Sequence, residues 1–163
     1  MVCDCERVLQ SEHSPGLVRD DEKIVYCLID PDLISRDTLT LKNKAFSKSE
    51  LRRTELSVVR KSYSSVGEVR AKVIALQVAR NPHRRFCGVL FCRSANIRAV
   101  SGITTQDICV ADAGLEGFAS HAHLGFCEQV AGKSKSVQEA VRSNLVAAFQ
   151  EGGVQDLEAL FVE

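Results

Sequence analysis

Short apolar runs rich in β-branched and aromatic residues recur along the chain, and they predict β-strands. The most distinct run covers residues 24–29 and is apolar throughout, which indicates a strand buried on both faces. Asp30-Pro31-Asp32 follows it and predicts the turn that ends this strand. The further predicted strands are 55–60, 86–92, 97–100, 107–111 and 121–127.

Two longer segments repeat apolar residues with the spacing of one-sided helices. The first covers residues 66–80, with Ser64 or Ser65 as its N-cap and Asn81-Pro82 as its stop. Its regularly spaced apolar residues are Val66, Val69, Val73 and Leu76.

The second helix is predicted to begin at a capping box. In Ser136-Val137-Gln138-Glu139 the serine caps a backbone amide while Glu139 reaches back to the serine. Gly152-Gly153 is predicted to end this helix.

Strands that cluster between two helices predict an α+β fold. We expect a single domain over residues 1–163, with a mostly antiparallel sheet and the two main helices packed on one side. Residues 1–20 are predicted to form an irregular or partly helical lead-in, and residues 38–50 and 114–120 are predicted loops. Residues 157–162 form a short apolar tail.

Composition agrees with a globular domain, because 45% of the 163 residues are hydrophobic and 26% are charged. No apolar run approaches the roughly 20 residues that cross a bilayer. The N-terminal region is rich in acidic residues and lacks the apolar core of a signal peptide. We therefore expect a cytoplasmic protein without a membrane partner.

Seven cysteines, an odd number at irregular spacing, are expected to be reduced thiols packed as small hydrophobic residues. Zinc is the alternative, but two close approaches in the sequence, Cys3-Asp4-Cys5 and Cys87 with Cys92, do not match zinc-ribbon spacing. The expectation is therefore that the protein holds no cofactor.

The formal net charge is zero, yet the charges are unevenly distributed. Residues 1–37 carry a net charge of −5, residues 38–106 a net charge of +11, and residues 107–163 a net charge of −6. Such a basic middle segment can meet nucleic acid or nucleotides, an acidic protein partner, or the acidic ends of the same chain.

A His-x-His pattern is the first candidate for chemistry. On a strand, His121, His123 and Cys127 share one face, with Gly125 leaving space between them. These three residues are weak candidates for zinc ligands. Alternatively, His121 acts as a proton donor or acceptor beside an anionic substrate, or the histidines are simply packed in the sheet.

Leu56-Ser57-Val58-Val59-Arg60 is the second candidate, because strand alternation puts Arg60 on the face of Leu56 and Val58. If that face meets the core, Arg60 is paired, either as an anion-binding fork beside a cleft or in a plain salt bridge. The full set of predicted anion-binding residues is Arg60, Lys61, Arg80, Arg84 and Arg85. Basic residues near the end of the first helix also suit its macrodipole.

Several short motifs together resemble a loosely defined family of small, functionally uncharacterised bacterial cytosolic proteins. They are Ile-Asp-Pro-Asp at 29–32, Ala-Phe at 45–46, Leu-Ser-Val-x-Arg at 56–60 and His-Ala-x-Leu-Gly at 121–125. The resemblance spans roughly residues 24–149 and implies no assigned reaction. In that family the position of Cys27 is often basic and that of His123 usually apolar, which leaves His121 as the better-supported histidine.

Two functions from different classes follow. In the first, the protein is an accessory or adaptor module of a bacterial system, such as defence, whose 38–106 segment docks on nucleic acid or an acidic protein.

In the second, it is a small phosphate-centred enzyme, a nuclease or a nucleotidyl or ADP-ribosyl transferase. Arg60 would then hold the anion, Ser57 would orient it, and His121 would transfer the proton. This enzyme hypothesis predicts that the three side chains meet in one cleft.

Overall fold

A computed structural model describes residues 3–8, 11–80 and 85–162. Its centre is a five-stranded antiparallel sheet in the order β3-β1-β2-β5-β4. The strands are β1 Lys23–Leu28, β2 Leu56–Arg60, β3 Gly88–Arg93, β4 Ile108–Asp112 and β5 His121–Phe126. The predicted α+β class with an antiparallel sheet is confirmed.

Seven α-helices accompany the sheet in the described part of the chain. They are α1 Asp4–Val8, α2 Lys48–Arg53, α3 Val66–Arg80, α4 Ser94–Arg98, α5 Glu128–Ala131, α6 Lys135–Gln150 and α7 Leu157–Phe161. Short 3-10 turns occupy Pro31–Leu33, Asn43–Ala45 and Lys61–Tyr63. Among the described residues, none of these helices has the length and apolar character needed to span a membrane.

Each face of the sheet has its own hydrophobic core. Ile24, Tyr26 and Leu28 pack in one cluster together with the apolar side of α6. Val25, on the opposite face of the same strand, packs in a second cluster with Val69 of α3 and with α7. The two long helices therefore lie on opposite faces, not on one side as predicted, because strands that are apolar on both faces need cover on both.

The N-terminus of α3 is fixed by a reciprocal cap. The backbone N–H of Glu68 donates to Ser65 Oγ at 3.2 Å, and the N–H of Ser65 donates to Glu68 Oε2 at 2.8 Å. Ser65 is thus the cap, one of the two serines predicted for this position. Asn81-Pro82, the predicted stop, lies outside the described residues.

The predicted capping box of α6 is wrong by two residues. Ser134 is the N-cap, and its hydroxyl accepts a hydrogen bond from the N–H of Val137. Glu139 does not reach back, because it is bound by Arg142 at 2.6 Å and by Lys48 at 3.2 Å.

The strand predicted at 97–100 is also wrong, since this segment belongs to helix α4 and the turn that follows it. Long-range polar contacts hold the helix: the N–H of Ser94 donates to the carbonyl of Glu22, and Arg98 binds the carboxylates of Glu6 and Asp20. Two further helices stand where a loop and a tail were predicted: α2 begins within the predicted loop 38–50, and α7 lies within 157–162.

Gly125 serves the packing of α2 against β5. A Cβ built on Gly125 would lie 2.7 Å from Thr54 Cα, and Thr54 is the left-handed C-cap of α2 with φ of 55°. The space beside Gly125 is therefore filled by backbone and is not left open between metal ligands.

We expect Gly125→Ala to destabilise the protein by about 1–3 kcal/mol, the usual range for overpacking a core. Gly132→Ala is the matched control, because its nearest atom, Glu128 O, is 4.0 Å away. Urea unfolding of both variants checks this prediction, and equal unfolding midpoints would contradict it.

Candidate functional site

A cavity of about 400 Å³ opens between the two central strands. β1 and β2 pair at Ile24 with Arg60 and at Val25 with Val59, and no further pair joins them in the described residues. Beyond that junction, residues from the facing edges of both strands line the cavity, among them Cys27 and Ser57. The gap in the sheet thus creates a cleft lined from both of its faces.

Most of the cavity wall is apolar, and a few polar groups stand in it. The apolar wall includes Val25, Ile29, Leu33, Leu56, Val58, Val59, Val69, Val73, Leu76 and Phe118. The polar and charged side chains include Asp30, Lys44, Ser47, Glu50, Ser57, Lys72 and His121. An apolar pocket with a few convergent polar groups is typical of a site for a small molecule.

Ser57 and His121 meet in this cavity, and they are two of the three side chains that the enzyme hypothesis places in one cleft. His121 Nε2 lies 3.3 Å from Ser57 Oγ, and His121 Nδ1 lies 3.0 Å from the carbonyl oxygen of Ala113. A carbonyl only accepts hydrogen bonds, so the neutral imidazole carries its proton on Nδ1. Nε2 is then the acceptor, and the Ser57 hydroxyl donates to it.

The pairing of β2 with β5 produces this contact. Ser57 is opposite His123, and Val59 is opposite His121, so the serine and both histidines share one face of the sheet. The two imidazole rings touch edge to face with centroids 4.6 Å apart. His123 therefore supports the ring that contacts Ser57.

Burial is the main reason why His121 is neutral. Desolvation, with smaller contributions from the nearby His123 and Lys72, lowers the pKa of His121 to about 4, although the Ala113 carbonyl and Asp112 act in the opposite direction. Burial also lowers the pKa of His123. At neutral pH the His121 ring is thus a proton acceptor toward Ser57.

This pKa makes stability depend on pH. Between pH 6.5 and 4 the unfolded chain binds a proton on His121 that the folded chain does not bind. The contribution of His121 is therefore complete above about pH 6.5 and is lost as the pH falls toward 4. We expect the free energy of unfolding to fall by about 2 kcal/mol between pH 7 and pH 5 from this group.

Urea unfolding at pH 7 and pH 5 measures this loss. In His121→Gln the difference between the two pH values should shrink, whereas it should persist in His13→Gln, because His13 is exposed. An unchanged difference in His121→Gln would contradict the prediction.

Two cavity residues that the sequence analysis did not identify complete the site. Lys72 of α3 lies with Nζ 5.4 Å from the centroid of the Phe118 ring. Its positive charge acts on the second member of the Ser57–His121 dyad by lowering the pKa of His121. A lysine inside the apolar stripe of Val69 and Val73 was the signal available in the sequence. Cys27 also lines the cavity, but burial raises the pKa of its thiol to about 12, so it is no nucleophile at neutral pH.

Arg60 is not part of the group of side chains around Ser57 and His121. It is fully buried, and its five N–H groups donate to Glu22, Asp112 and the carbonyls of Gly16 and Leu17. Its predicted role as an anion-binding fork is therefore corrected to that of a structural ion pair, because no donor is left for a ligand.

The acidic ends of the chain bind four cations of the basic segment. Pairs join the ends to the middle: Glu22 and Asp112 to Arg60, Glu6 and Asp20 to Arg98, Glu139 to Lys48, and Glu158 to Arg70. The acidic ends of the same chain, one of the three predicted partners of the basic segment, thus neutralise these cations. Lys42, Lys44, Arg85 and Arg93 are exposed.

Of the other predicted anion-binding residues, the structure describes the side chains of Lys61 and Arg85. Lys61 lies with Nζ 5.7 Å from the centroid of the Phe161 ring. Arg85 is exposed, Arg84 lies outside the described residues, and the side chain of Arg80 is likewise not described.

The predicted grouping of His121, His123 and Cys127 does not assemble. The two histidines share a face of β5, but Cys127 follows the strand and lies with Cys3 and Cys5 instead. The backbone N–H of Cys127 donates to the carbonyl of Asp107 at 2.9 Å, and the residue is the N-cap of α5.

The fold and the cavity define a small α+β protein whose central sheet carries a hydroxyl–imidazole pair at the wall of a cleft. No protein-family model, curated protein or solved structure matches the chain. The resemblance to a family of small bacterial proteins therefore stays a prediction.

Proposed function

We propose that this protein is a small serine-dependent hydrolase acting on carboxylic esters of modest size and mainly apolar character. The observation that carries the proposal is the 3.3 Å contact of Ser57 Oγ with His121 Nε2 at the wall of the cavity. A hydroxyl is a weak nucleophile until an adjacent base takes its proton, and this pairing supplies the base.

The chemistry follows the known logic of such pairs. Ser57 Oγ attacks the ester carbonyl carbon while its proton passes to His121 Nε2, and a tetrahedral oxyanion forms. The oxyanion collapses, the carbon–oxygen bond to the alcohol breaks, and the alcohol leaves with the proton from His121. Water then repeats the sequence on the acyl-serine, which releases the acid and restores Ser57.

Two other groups support this chemistry. The Ala113 carbonyl holds the ring by accepting from Nδ1–H, the position that a carboxylate occupies in a full triad. Lys72 lines the same cavity and offers a positive charge to the oxyanion.

An ester fits the cavity better than the phosphate centre considered from the sequence. Arg60 is committed to Glu22 and Asp112, and the described cavity wall carries two lysines against Asp30 and Glu50. A phosphoryl group carries more negative charge than this balanced lining compensates. The apolar wall instead suits an acyl chain.

Covalent labelling tests the proposal directly. We expect a fluorophosphonate to form a bond with Ser57 Oγ with loss of fluoride, detected by mass spectrometry of the proteolysed chain. The same protein should release p-nitrophenol from p-nitrophenyl acetate and butyrate. Because the pKa of His121 is about 4, the rate should be constant from pH 6 to 8 and fall below about pH 5.

Ser62→Ala is the matched control, because Ser62 is an exposed serine on the turn that follows β2. It should be labelled at Ser57 like the unmodified protein, whereas Ser57→Ala should not be labelled. Labelling spread over surface serines, or no ester hydrolysis above the His121→Ala background, would overturn the proposal.

The adaptor hypothesis stays a prediction beside this one. Its basis, the basic segment 38–106, has several cations already paired with the acidic ends of the chain. The cavity and its dyad have no role in it. For these reasons we favour the hydrolase.

A further inference from the structure

Four cysteines from distant parts of the sequence bring their sulfur atoms together. Cys3 and Cys5 lie at the start of the chain around α1, Cys109 lies on β4, and Cys127 directly follows β5. The sulfurs of Cys3 and Cys5 are 3.0 Å apart, and those of Cys3, Cys5 and Cys127 all lie within 4.8 Å of one another. Cys109 Sγ and Cys5 Sγ form a disulfide bond, so the expectation of reduced thiols is wrong for this pair.

This arrangement has the dimensions of a zinc site. Zinc binds four thiolates tetrahedrally at about 2.3 Å, which places the sulfurs about 3.8 Å from one another. The observed separation of 3.0 Å and the limit of 4.8 Å lie on either side of that value. Reduction of the Cys5–Cys109 disulfide would free these two sulfurs to join those of Cys3 and Cys127 around an ion.

A disulfide between Cys5 and Cys109 explains only half of the cluster. It uses two sulfurs and gives no reason for Cys3 and Cys127 to converge on the same point. Four convergent sulfurs are what a tetrahedral metal requires.

The cluster is also set apart from the other cysteines. In the part of the chain that the structure describes, Cys3, Cys5 and Cys127 are the one group of three or more ligating side chains with metal-binding spacing. Cys109, the disulfide partner of Cys5, is the fourth sulfur of the cluster once this bond is reduced.

We propose that Cys3, Cys5, Cys109 and Cys127 bind one structural zinc ion. The ion ties the N-terminal segment to β4 and to the end of β5. It thereby holds α1 where Glu6 accepts a hydrogen bond from the N–H of Val110 at 3.0 Å and binds Arg98 at 2.8 Å. The site is closed, because all four positions are filled by protein.

Metal analysis of the reduced full chain tests the proposal. Protein stripped with a chelator under a reducing agent should bind one equivalent of zinc per chain, measured by atomic emission. Titration with cobalt alone should produce the intense thiolate-to-cobalt absorption and the visible bands of a tetrahedral site. The cobalt experiment uses the unmodified chain, so it does not depend on whether a variant folds.

Variants then assign the ligands. Cys3→Ser and Cys127→Ser should each lose most of the bound metal and the tetrahedral cobalt bands. Cys87→Ser, at a half-buried cysteine on another part of the molecule, should retain one equivalent.

Three results would overturn the proposal. One is a reduced chain that binds neither zinc nor cobalt. Another is metal binding in Cys3→Ser and Cys127→Ser equal to that of Cys87→Ser. The third is a chain with a Cys5–Cys109 disulfide under reducing purification, in which Cys3 and Cys127 react freely with an alkylating agent.

Discussion

Replacing Arg60 with methionine is expected to destabilise the protein by about 3–5 kcal/mol, the range measured when one partner of a buried ion pair is removed. Arg60, Glu22 and Asp112 are almost wholly buried. Glu22 receives bonds of 2.8 and 2.7 Å from the guanidinium, and Asp112 receives one of 2.7 Å. Without Arg60, both carboxylates would be left without their buried counter-charge.

Such a loss approaches the total stability of many domains, which is about 5–15 kcal/mol. Urea unfolding followed by circular dichroism measures it. Neutralising the carboxylates as well, in Arg60→Met with Glu22→Gln and Asp112→Asn, should recover part of the lost stability, because no unpaired charge is then buried.

Arg53→Met is the matched control. Arg53 also makes an ion pair, at 2.8 Å with Glu55, but both side chains are more than half exposed. Exposed pairs contribute at most about 1 kcal/mol. If Arg53→Met and Arg60→Met lowered stability by the same amount, the structural role of Arg60 would be refuted.

The second large effect concerns the dyad. Ser57→Ala is expected to lower the rate of ester hydrolysis by about 10³-fold or more, because the nucleophile itself is removed. His121→Ala should cause a loss of similar size, since the hydroxyl would have no base. The double variant should be no slower than either single one, because the two residues act as a unit.

Initial rates with p-nitrophenyl butyrate measure these losses, and circular dichroism confirms that each variant is folded. His13→Ala is the control, since this histidine is exposed and does not line the cavity. Additive losses, or a Ser57→Ala variant that hydrolyses the ester at the original rate, would count against the dyad.

Local patterns predicted most of the sheet. The apolar runs at 24–29, 55–60, 86–92, 107–111 and 121–127 all overlap observed strands, because a strand buried in a core must be apolar wherever it falls. Three of the four residues at 97–100 are apolar, yet this segment begins in a helix in which Arg98 binds Glu6 and Asp20. Contacts of this range carry no local signal and override propensity.

The site was only partly predictable for the same reason. Strand alternation places Ser57 on one face of β2 and His121 with His123 on one face of β5. Their contact depends on the register in which Ser57 meets His123, and register is a property of the assembled sheet. The cavity depends on β1 and β2 parting beyond Val25, which neither strand shows in its sequence.

The convergence of the four cysteines was the feature least predictable from the sequence. Zinc-binding segments are recognised by closely spaced pairs, and here Cys3 and Cys5 form a pair with one intervening residue. Cys109 and Cys127 are single residues on different elements. Only the placement of α1 against β4 brings them to the same point.

The strand order also affects how fast the chain acquires its structure. β1 pairs with β3, where Lys23 meets Arg93, and β2 pairs with β5, where Leu56 meets Leu124. Each pairing closes a long loop before any of its contacts can form, and that entropic barrier slows folding. We expect refolding on a scale of roughly milliseconds to seconds, as for other domains dominated by non-local contacts.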